Sequence, residues 1–431
     1  MAERIKTIRI LQIGDVHFPE GMSQAASADI KDDGVAESLT KNITSGTFIE
    51  SVRRMVEVAE TGNVDFLAFM GDLTSRGDLS QYSACVKYLS NLLRMETVPI
   101  LDPQDILFVA GNHDVSRDIA KTKPEDKFKI LSDTLEANGF LAICETELDC
   151  RQIISDGCTV SAIGINSCIG CGEKRYLPSR VQDEIFSKIE GDLKTATDTD
   201  KLAVLDEVYE TLDAPAVASE TIGSLIKHVE EADSEAVPLI VAHHNLLPQS
   251  LTRLDPYTEL VNSGALRSVL TSLGRPAIYL HGHIHTDPIE VITNAATGKS
   301  PLVCISAPAL ESGFNIVEIG FGSQGDPIGC RVIPYRCGEG GYVMSCDAIL
   351  IPFSGFTNAF FDKTRSALFS KIVGDGYIQY TDLLTWAKTQ KWYVDDVRLG
   401  NDLVELSWQG AITIEGMDRG QAFWRIKSAT A

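Results

Sequence analysis

The chain has 431 residues, 44% of them hydrophobic, and a net charge of −22, so it is long enough for two or three domains and too apolar for a disordered protein. The negative charge would repel a long polyanion, which disfavours a nucleic-acid partner. The N-terminus lacks the apolar core of a signal peptide, no apolar run reaches the length of a membrane span, and the ten cysteines are scattered. We therefore expect a cytoplasmic protein that has no membrane partner.

Buried strands alternate with amphipathic helices at the start of the chain. Apolar runs at 7–13, 64–70 and 106–110 predict strands, and apolar residues at helical spacing within 48–59 and 79–93 predict helices. This alternation predicts a mixed or parallel sheet with helices on its faces. The polar stretch at 18–47 is long for a connection, so we interpret it as an insert or a lid.

The middle of the chain continues the pattern. Apolar runs at 158–166, 238–242 and 277–280 predict further strands, with a helix at about 259–273 before the last of them. The charged stretch at 178–232 has helical spacing throughout and predicts a helical insertion. Five short apolar runs between 288 and 352, separated by Gly-rich turns, predict a second, largely antiparallel layer.

Residues 354–431 differ in composition and predict a small α+β accessory domain that is winged-helix-like. This stretch holds all four tryptophans and balances nine basic against nine acidic residues. We predict a short helix around Leu383 and a hairpin formed by 403–408 and 411–414. The preceding residues, 1–353, would form the catalytic domain. The sequence assigns no protein partner to the accessory domain.

Side chains of the types that bind metals follow five of the predicted strands. They are Asp15 and His17, Asp72, Asn112 and His113, His243 and His244, and His283 and His285. Seven of the eight histidines lie at these positions or beside them at His281. Because the carboxyl ends of strands form the site crevice in open α/β sheets, we expect these side chains to converge. Imidazole and carboxylate groups together suit divalent transition metals.

In this order, and with their glycines, the five motifs resemble the signature of the calcineurin-like metallophosphoesterase superfamily. That signature runs Asp-x-His, Gly-Asp, Gly-Asn-His-Asp, His and Gly-His-x-His, and every block is intact within residues 7–320. The resemblance implies an α/β (α+β) fold, a β-sandwich flanked by helices. It is silent on the insert at 18–47, the helical insertion at 178–232 and the C-terminal domain.

The resemblance also implies residue roles. Asp15, His17 and His285 would bind one metal, Asn112, His243 and His283 would bind a second, and Asp72 would bridge both. His113 would face the leaving group, with Asp114 orienting its ring. The two divalent ions would be manganese, iron or zinc, with manganese favoured.

Several nearby residues keep two interpretations. His244 is either a hydrogen-bond partner of a ligand or a substrate contact, and His281 is either such a partner or an ordinary strand residue. Arg76 and Arg117 either grip a substrate phosphate or lie on the surface. Cys168 and Cys171 have the spacing of a redox pair, but the chain has no second pair to complete a zinc site.

These roles predict hydrolysis of a phosphoester by a hydroxide that bridges the metals. A phosphodiesterase on a small substrate such as a cyclic nucleotide is favoured, because the Gly-Asn-His-Asp block and the His-His pair resemble the bacterial cyclic-nucleotide phosphodiesterase branch. The alternatives are a phosphomonoesterase, and a DNA or RNA nuclease whose C-terminal tryptophans stack bases. A non-catalytic scaffold is a more remote alternative, since no ligand is missing.

Overall fold

A computed structural model describes residues 5–18, 47–62, 64–74, 79–93, 101–143, 145–173, 213–232, 236–248, 259–286, 288–293, 301–322, 325–338, 341–353, 363–390 and 396–429, with helical pieces at 179–180, 187–188 and 191. The insert predicted at 18–47 lies outside these ranges except for its two end residues. Most of the helical insertion predicted at 178–232 also lies outside them, as do Arg76 and Trp392.

The first sheet combines the early strands of the chain with late ones. Its strands are β1 (Lys6–Ile13), β2 (Phe66–Phe69), β3 (Ile106–Phe108), β10 (Gly313–Phe321), β11 (Pro327–Cys337), β12 (Val343–Ser345) and β13 (Ile349–Pro352). They follow the order β12-β11-β10-β1-β2-β3, and β13 also pairs with β11. β1, β2 and β3 are parallel, whereas the strands from β10 onward are antiparallel to their neighbours.

The second sheet is parallel at its centre. Its strands are β4 (Asp149–Ser155), β5 (Cys158–Gly164), β6 (Val237–Val241), β7 (Ala277–His281), β8 (Ile289–Ile292) and β9 (Leu302–Ser306), in the order β4-β5-β6-β7-β9-β8. β5, β6, β7 and β9 run parallel, and β4 and β8 close the two edges in the antiparallel direction.

The two sheets pack face to face, which the alternation of side chains along β1 illustrates. Ile8 and Ile10 lie in the apolar core between the sheets, whereas Leu11 and Ile13 lie in a second core under the helices. Successive side chains of a strand point to opposite faces, so a strand buried on both sides is apolar at nearly every position. This explains why the sequence shows these strands as continuous apolar runs.

Helices cover both outer faces of the sandwich, as the sequence predicts. The first sheet is covered by α1 (Thr47–Gly62), α2 (Leu79–Leu93), α3 (Arg117–Thr122) and α4 (Lys129–Ala137), and the second by α5 (Ser219–Glu231) and α6 (Ser263–Thr271). The fold is therefore the expected β-sandwich flanked by helices.

One prediction about the layers is wrong. The short apolar runs between 288 and 352 do not form a layer of their own. β8 and β9 extend the second sheet, with β9 parallel to β7, while β10 to β13 complete the first sheet. The strand β4, which the sequence analysis missed, pairs with β5 at the other edge of the second sheet. Short apolar runs do not reveal their pairing partners, because those partners lie far away along the chain.

The described C-terminal residues contain three helices and a three-stranded sheet. The chain order is α7 (Lys363–Asp375), β14 (Tyr377–Gln379), α8 (Tyr380–Thr389), α9 (Asp396–Trp408), β15 (Ile412–Glu415) and β16 (Arg425–Ser428), and the sheet order is β14-β16-β15. These elements enclose a separate apolar core. The helix predicted around Leu383 is present as α8. The domain boundary at 353 stays a prediction.

The hairpin predicted at 403–414 is wrong in its first half, because 403–408 belong to α9. The stretch Leu-Val-Glu-Leu-Ser-Trp alternates like a strand, but Leu399, Leu403 and Leu406 recur at helical spacing and are all buried. Only the second segment is a strand, β15. It pairs with β16, which in turn pairs with β14. The segment is helical because a period of 3.6 residues places these three leucines on one continuous face that packs in the core.

Two of the described tryptophans of this region are structural. Trp424 is buried and packs against Tyr380, with 5.6 Å between ring centroids. Trp408 is also buried, at the junction with the sandwich, and the Arg331 guanidinium lies 5.1 Å from its ring centroid. Within the described part of the chain, no helix combines the length and the apolar character needed to cross a bilayer.

Candidate metal centre

The predicted ligands meet where strands of both sheets end. β1 and β2 lead into Asp15, His17 and Asp72, and β3 leads into Asn112. From the second sheet, β6 leads into His243, and β7 leads into His283 and His285. Together with His244, the His and Asp residues among them form three groups in which the ligand atoms lie within 4.8 Å of one another: Asp15, His17 and His285; Asp15, Asp72 and His243; and His243, His244 and His283.

The first group lies at the more exposed side of the centre. The Nε2 atoms of His17 and His285 lie 3.2 Å apart, and Asp15 Oδ1 lies 3.6 Å from His285 Nε2. The Asp15 carboxylate also accepts hydrogen bonds from the His283 backbone N–H at 2.9 and 3.1 Å. One carboxylate and two imidazole nitrogens therefore face a common point, which is a donor set that suits a divalent transition metal.

His243, from the second group, and Asn112 present two acceptors that face each other. His243 Nδ1 donates to the carbonyl of Met70 at 2.7 Å, because a carbonyl can only accept. Burial lowers the pKa of His243, so the ring is neutral and its Nε2 carries a lone pair. That Nε2 lies 3.0 Å from Asn112 Oδ1, which is also an acceptor. A cation between these two atoms would turn this repulsive contact into shared coordination.

Asp72 lies between His17 of the first group and His243 of the second. Its Oδ2 is 3.7 Å from His17 Nε2 and 3.5 Å from His243 Nε2. Its Oδ1 accepts a hydrogen bond from the His113 backbone N–H at 2.9 Å. The carboxylate is thus held in place by one oxygen while the other faces both His17 and His243, which is the arrangement that a bridging ligand needs.

The electrostatics of the centre favour bound cations. Burial, together with the Asp15 and Asp114 carboxylates, raises the pKa of Asp72 well above its usual range. Burial alone would also raise the pKa of Asp15, but the His285 hydrogen bond and the neighbouring imidazoles lower it below its usual range. Burial lowers the pKa of His17 to about 4 and that of His283 to about 3, so both rings are neutral at pH 7 and can act as ligands.

The glycines of the motifs are required by close approach. A Cβ atom on Gly111 would lie 2.0 Å from Asp72 Oδ1, and one on Gly282 would lie 2.6 Å from Asp15 Oδ2. The backbone is also unusual here, because His17, Asp72, His283 and His285 all have positive φ angles, between 39° and 66°. Such conformations cost about 1–3 kcal/mol each and cluster at functional sites.

His113 and Asp114 occupy different environments. The His113 ring is exposed and lies 5.2 Å, centroid to centroid, from the ring of His17. The Asp114 carboxylate is buried and accepts hydrogen bonds from the backbone N–H groups of Leu73 and Gly111, both at 3.0 Å. Burial raises the pKa of Asp114 to about 7. These contacts join two motif loops, and the orienting role of Asp114 toward the His113 ring stays a prediction.

His244 is fully buried behind the predicted ligands. Ser167 Oγ accepts the backbone N–H groups of His243 and His244, so its own hydroxyl donates to His244 Nδ1 at 3.0 Å. The Cys168 sulfur lies 3.7 Å from the same nitrogen, and Cys171 completes a buried group of three possible metal ligands. The sequence analysis did not foresee that His244 joins the cysteine pair.

His281 belongs to the strand and to none of the metal-ligand groups that the described residues form. It is the last residue of β7, and its Nδ1 faces the carbonyl of Gly282 at 3.3 Å. Burial lowers its pKa to about 4. Its backbone carbonyl accepts a hydrogen bond from Gln12 Nε2 at 3.3 Å, which ties β7 to β1.

Asp213 is a neighbour of the centre that sequence reasoning missed. Its Oδ2 accepts a hydrogen bond from Asn112 Nδ2 at 3.0 Å, and its Oδ1 forms an ion pair with Arg117 at 2.9 Å. Asp213 lies in the stretch that the sequence presents as helical insertion, 101 residues from Asn112. No motif marks it, so only the fold reveals its position.

Comparisons with known proteins show which family the chain resembles. Residues 8–287 match the sequence profile of the calcineurin-like phosphoesterases. No curated protein matches the chain. Among solved structures, a dimetal phosphatase from Danio rerio is 13% identical, with a TM-score of 0.44 over 82% of this chain and 100% of that one. A calcineurin-like phosphoesterase from Bacillus subtilis is also 13% identical, with a TM-score of 0.33 over 81% and 91%. The NAD nucleotidase of Haemophilus influenzae is 10% identical, with a TM-score of 0.40 over 80% and 54%.

The profile match spans more than half of the chain and includes every motif described above. The chain therefore belongs to the calcineurin-like phosphoesterase family. It is a metallophosphoesterase, and its His and Asp groups can hold metal ions.

Proposed function

We propose that this protein is a manganese-dependent phosphodiesterase that acts on a small substrate such as a cyclic nucleotide. The observation that carries the metal part of the proposal is the pair of facing acceptors, His243 Nε2 and Asn112 Oδ1, 3.0 Å apart beside the Asp72 carboxylate. Neutral imidazole, amide and carboxylate ligands together suit manganese, iron or zinc. Two such ions would supply Lewis acidity and activate water at neutral pH.

We assign roles to the side chains of the centre. Asp15, His17 and His285 would hold one ion, Asn112, His243 and His283 would hold the other, and Asp72 would contact both. The exposed His113 ring beside His17 would hydrogen-bond the leaving oxygen and donate a proton to it. General-acid assistance of this kind contributes about 100- to 10,000-fold.

The charge of the described residues around the centre supports a diester rather than a monoester. Among the described residues, Arg117 is the cationic side chain that contacts a predicted ligand, since it donates to the Asn112 carbonyl at 3.1 Å. Asp213 neutralises this guanidinium through the 2.9 Å ion pair. A phosphomonoester dianion carries more negative charge than a diester and would gain no uncompensated positive charge from Arg117.

The test compares bis(p-nitrophenyl) phosphate with p-nitrophenyl phosphate, using metal-stripped protein to which manganese is returned. We expect a higher kcat/KM for the diester and no turnover by the stripped protein. Cyclic AMP and cyclic GMP would then be tested as substrates. A preference for the monoester would contradict the diesterase proposal and indicate a phosphatase. Activity on neither ester by protein that binds two ions would contradict catalysis on simple esters.

The nuclease alternative gains no support from the two buried tryptophans of the C-terminal region. Trp408 and Trp424 are buried and so do not offer exposed faces for base stacking. The cytoplasmic location and the winged-helix-like character of residues 354–431 remain part of our proposal.

A further inference from the structure

The orientation of the Asn112 carboxamide decides whether Asn112 and His243 can bind a cation together. The two ends of a carboxamide are similar in shape, but one is an acceptor and the other a double donor. With Oδ1 toward His243 the site presents two lone pairs. With the amide reversed it would present N–H groups, which repel a metal ion. The energy difference between the two orientations therefore comes from the partners of Nδ2.

Asp213 supplies the partner that selects the productive orientation. Its Oδ2 lies 3.0 Å from Asn112 Nδ2, and a carboxylate can only accept at this contact. Reversing the amide would place Asn112 Oδ1 against Asp213 Oδ2 and Asn112 Nδ2 against the metal position. With a metal ion bound, both contacts would be repulsive; the Asp213 carboxylate accounts for the first of them and disfavours the reversed state even before the metal binds.

Arg117 in turn holds Asp213. The guanidinium contacts both carboxylate oxygens, at 2.9 Å to Oδ1 and 3.2 Å to Oδ2, and also donates to the Asn112 carbonyl at 3.1 Å. The side chains of Arg117 and Asp213 are 15% and 25% exposed, so the pair is only partly screened by water. The side chain and the backbone of Asn112 are therefore both tied to the same ion pair.

We propose that the Asp213–Arg117 pair is the positioning element of the second metal site, acting through the Asn112 carboxamide. This inference rests on the proposed two-metal function and goes beyond it, because it assigns a metal-affinity role to a residue outside the five motifs. Removing a partner that orients a metal ligand typically lowers metal affinity about 10- to 100-fold. The effect should fall on one of the two ions, since the described contacts of Asp213 do not include Asp15, His17 or His285.

The experiment titrates the metal-free protein with manganese. Binding is measured by calorimetry and by the electron paramagnetic resonance signal of free manganese. We expect wild type to bind two ions. Asp213→Ala should bind one ion with unchanged affinity and the other about 10- to 100-fold more weakly. Asp213→Asn should weaken the same ion by less, because its amide oxygen can still accept from Asn112 while the ion pair is lost.

Asp149→Ala is the matched control. Asp149 forms an ion pair of similar exposure with Arg151 at 2.6 Å, and it lies on the edge strand β4. This variant should bind both ions like wild type. If Asp213→Ala does not fold, Asp213→Asn decides the question, with circular dichroism and the melting temperature as checks on its fold.

Unchanged affinity for both ions in a folded Asp213 variant would overturn the inference. Equal weakening of both ions would also overturn it, because that result indicates a general disturbance. These outcomes differ from a failure of the proposed function, which would appear as fewer than two ions bound by wild type.

Discussion

Replacing Asp72 by Asn should separate the catalytic role of this residue from its effect on stability. Asp72 is buried, and the Asp15 and Asp114 carboxylates lie nearby, so its charge is unfavourable in the metal-free protein. Asparagine has the same shape. Its oxygen can still accept from the His113 N–H, and its amide can donate to the lone pair of His243, which lies 3.5 Å from Asp72 Oδ2.

The expected effects have opposite signs. Without metal, Asp72→Asn should raise the melting temperature, by about 1 °C for each kcal/mol of relieved repulsion, because the unfolding entropy is about 2.1 cal/mol/K per residue in a chain of 431 residues. With metal, turnover should fall about 100- to 1,000-fold, because a bridging ligand contributes several kcal/mol and about 1.4 kcal/mol corresponds to a factor of ten. The metal-induced rise in melting temperature should largely disappear, since that rise depends on metal affinity.

The assays are thermal melts with chelator or manganese, and hydrolysis of bis(p-nitrophenyl) phosphate. Asp402→Asn serves as the control, because Asp402 is also buried but is paired with Arg365 at 3.2 Å, far from the metal centre along the chain. Asp402→Asn should keep wild-type turnover. Wild-type turnover and a normal metal response in Asp72→Asn would refute the bridging assignment. A lower metal-free melting temperature would refute the repulsion argument.

Three further predictions follow from particular contacts. Gly111→Ala should lose about 1–3 kcal/mol of stability and weaken metal binding, because its Cβ would lie 2.0 Å from Asp72 Oδ1; Gly264→Ala, with nothing within 4 Å, is the control in denaturant titrations. Trp408→Ala should lower the unfolding free energy by about 3–5 kcal/mol and leave the turnover of folded molecules intact. Thermal melts and activity assays below the melting temperature would check both expectations. Burial lowers the pKa of Lys127 below its ordinary value of 10.5, so the unfolded chain binds more protons between these two values. The unfolding free energy of wild type relative to Lys127→Met should therefore rise as the pH approaches 10.5, and a fall would contradict this reasoning.

Residue chemistry and local period account for what could be predicted from the chain alone. The strands that precede the motifs are buried on both faces and therefore appear as apolar runs. This is why the apolar runs at 7–13 and 277–280 correctly predicted β1 and β7. Residues of metal-binding types at the ends of those runs indicated that their side chains would meet at one site. The same local signals failed at 403–408, where strand-like alternation and helical spacing coexist and only burial in the C-terminal core decided for the helix.

The sequence by itself thus determined the alternating strands and helices, the motif residues and, through the resemblance that these motifs carry, the family and its sandwich fold, because each motif is a short pattern within a few residues. Only the tertiary structure decided which sheet each late strand joins and which groups surround the ligands. β10 pairs with β1 across some 300 residues, and Asp213 reaches Asn112 across 101. Such contacts depend on the packing of the whole chain, so no local pattern records that Asp213 and Arg117 orient the Asn112 amide.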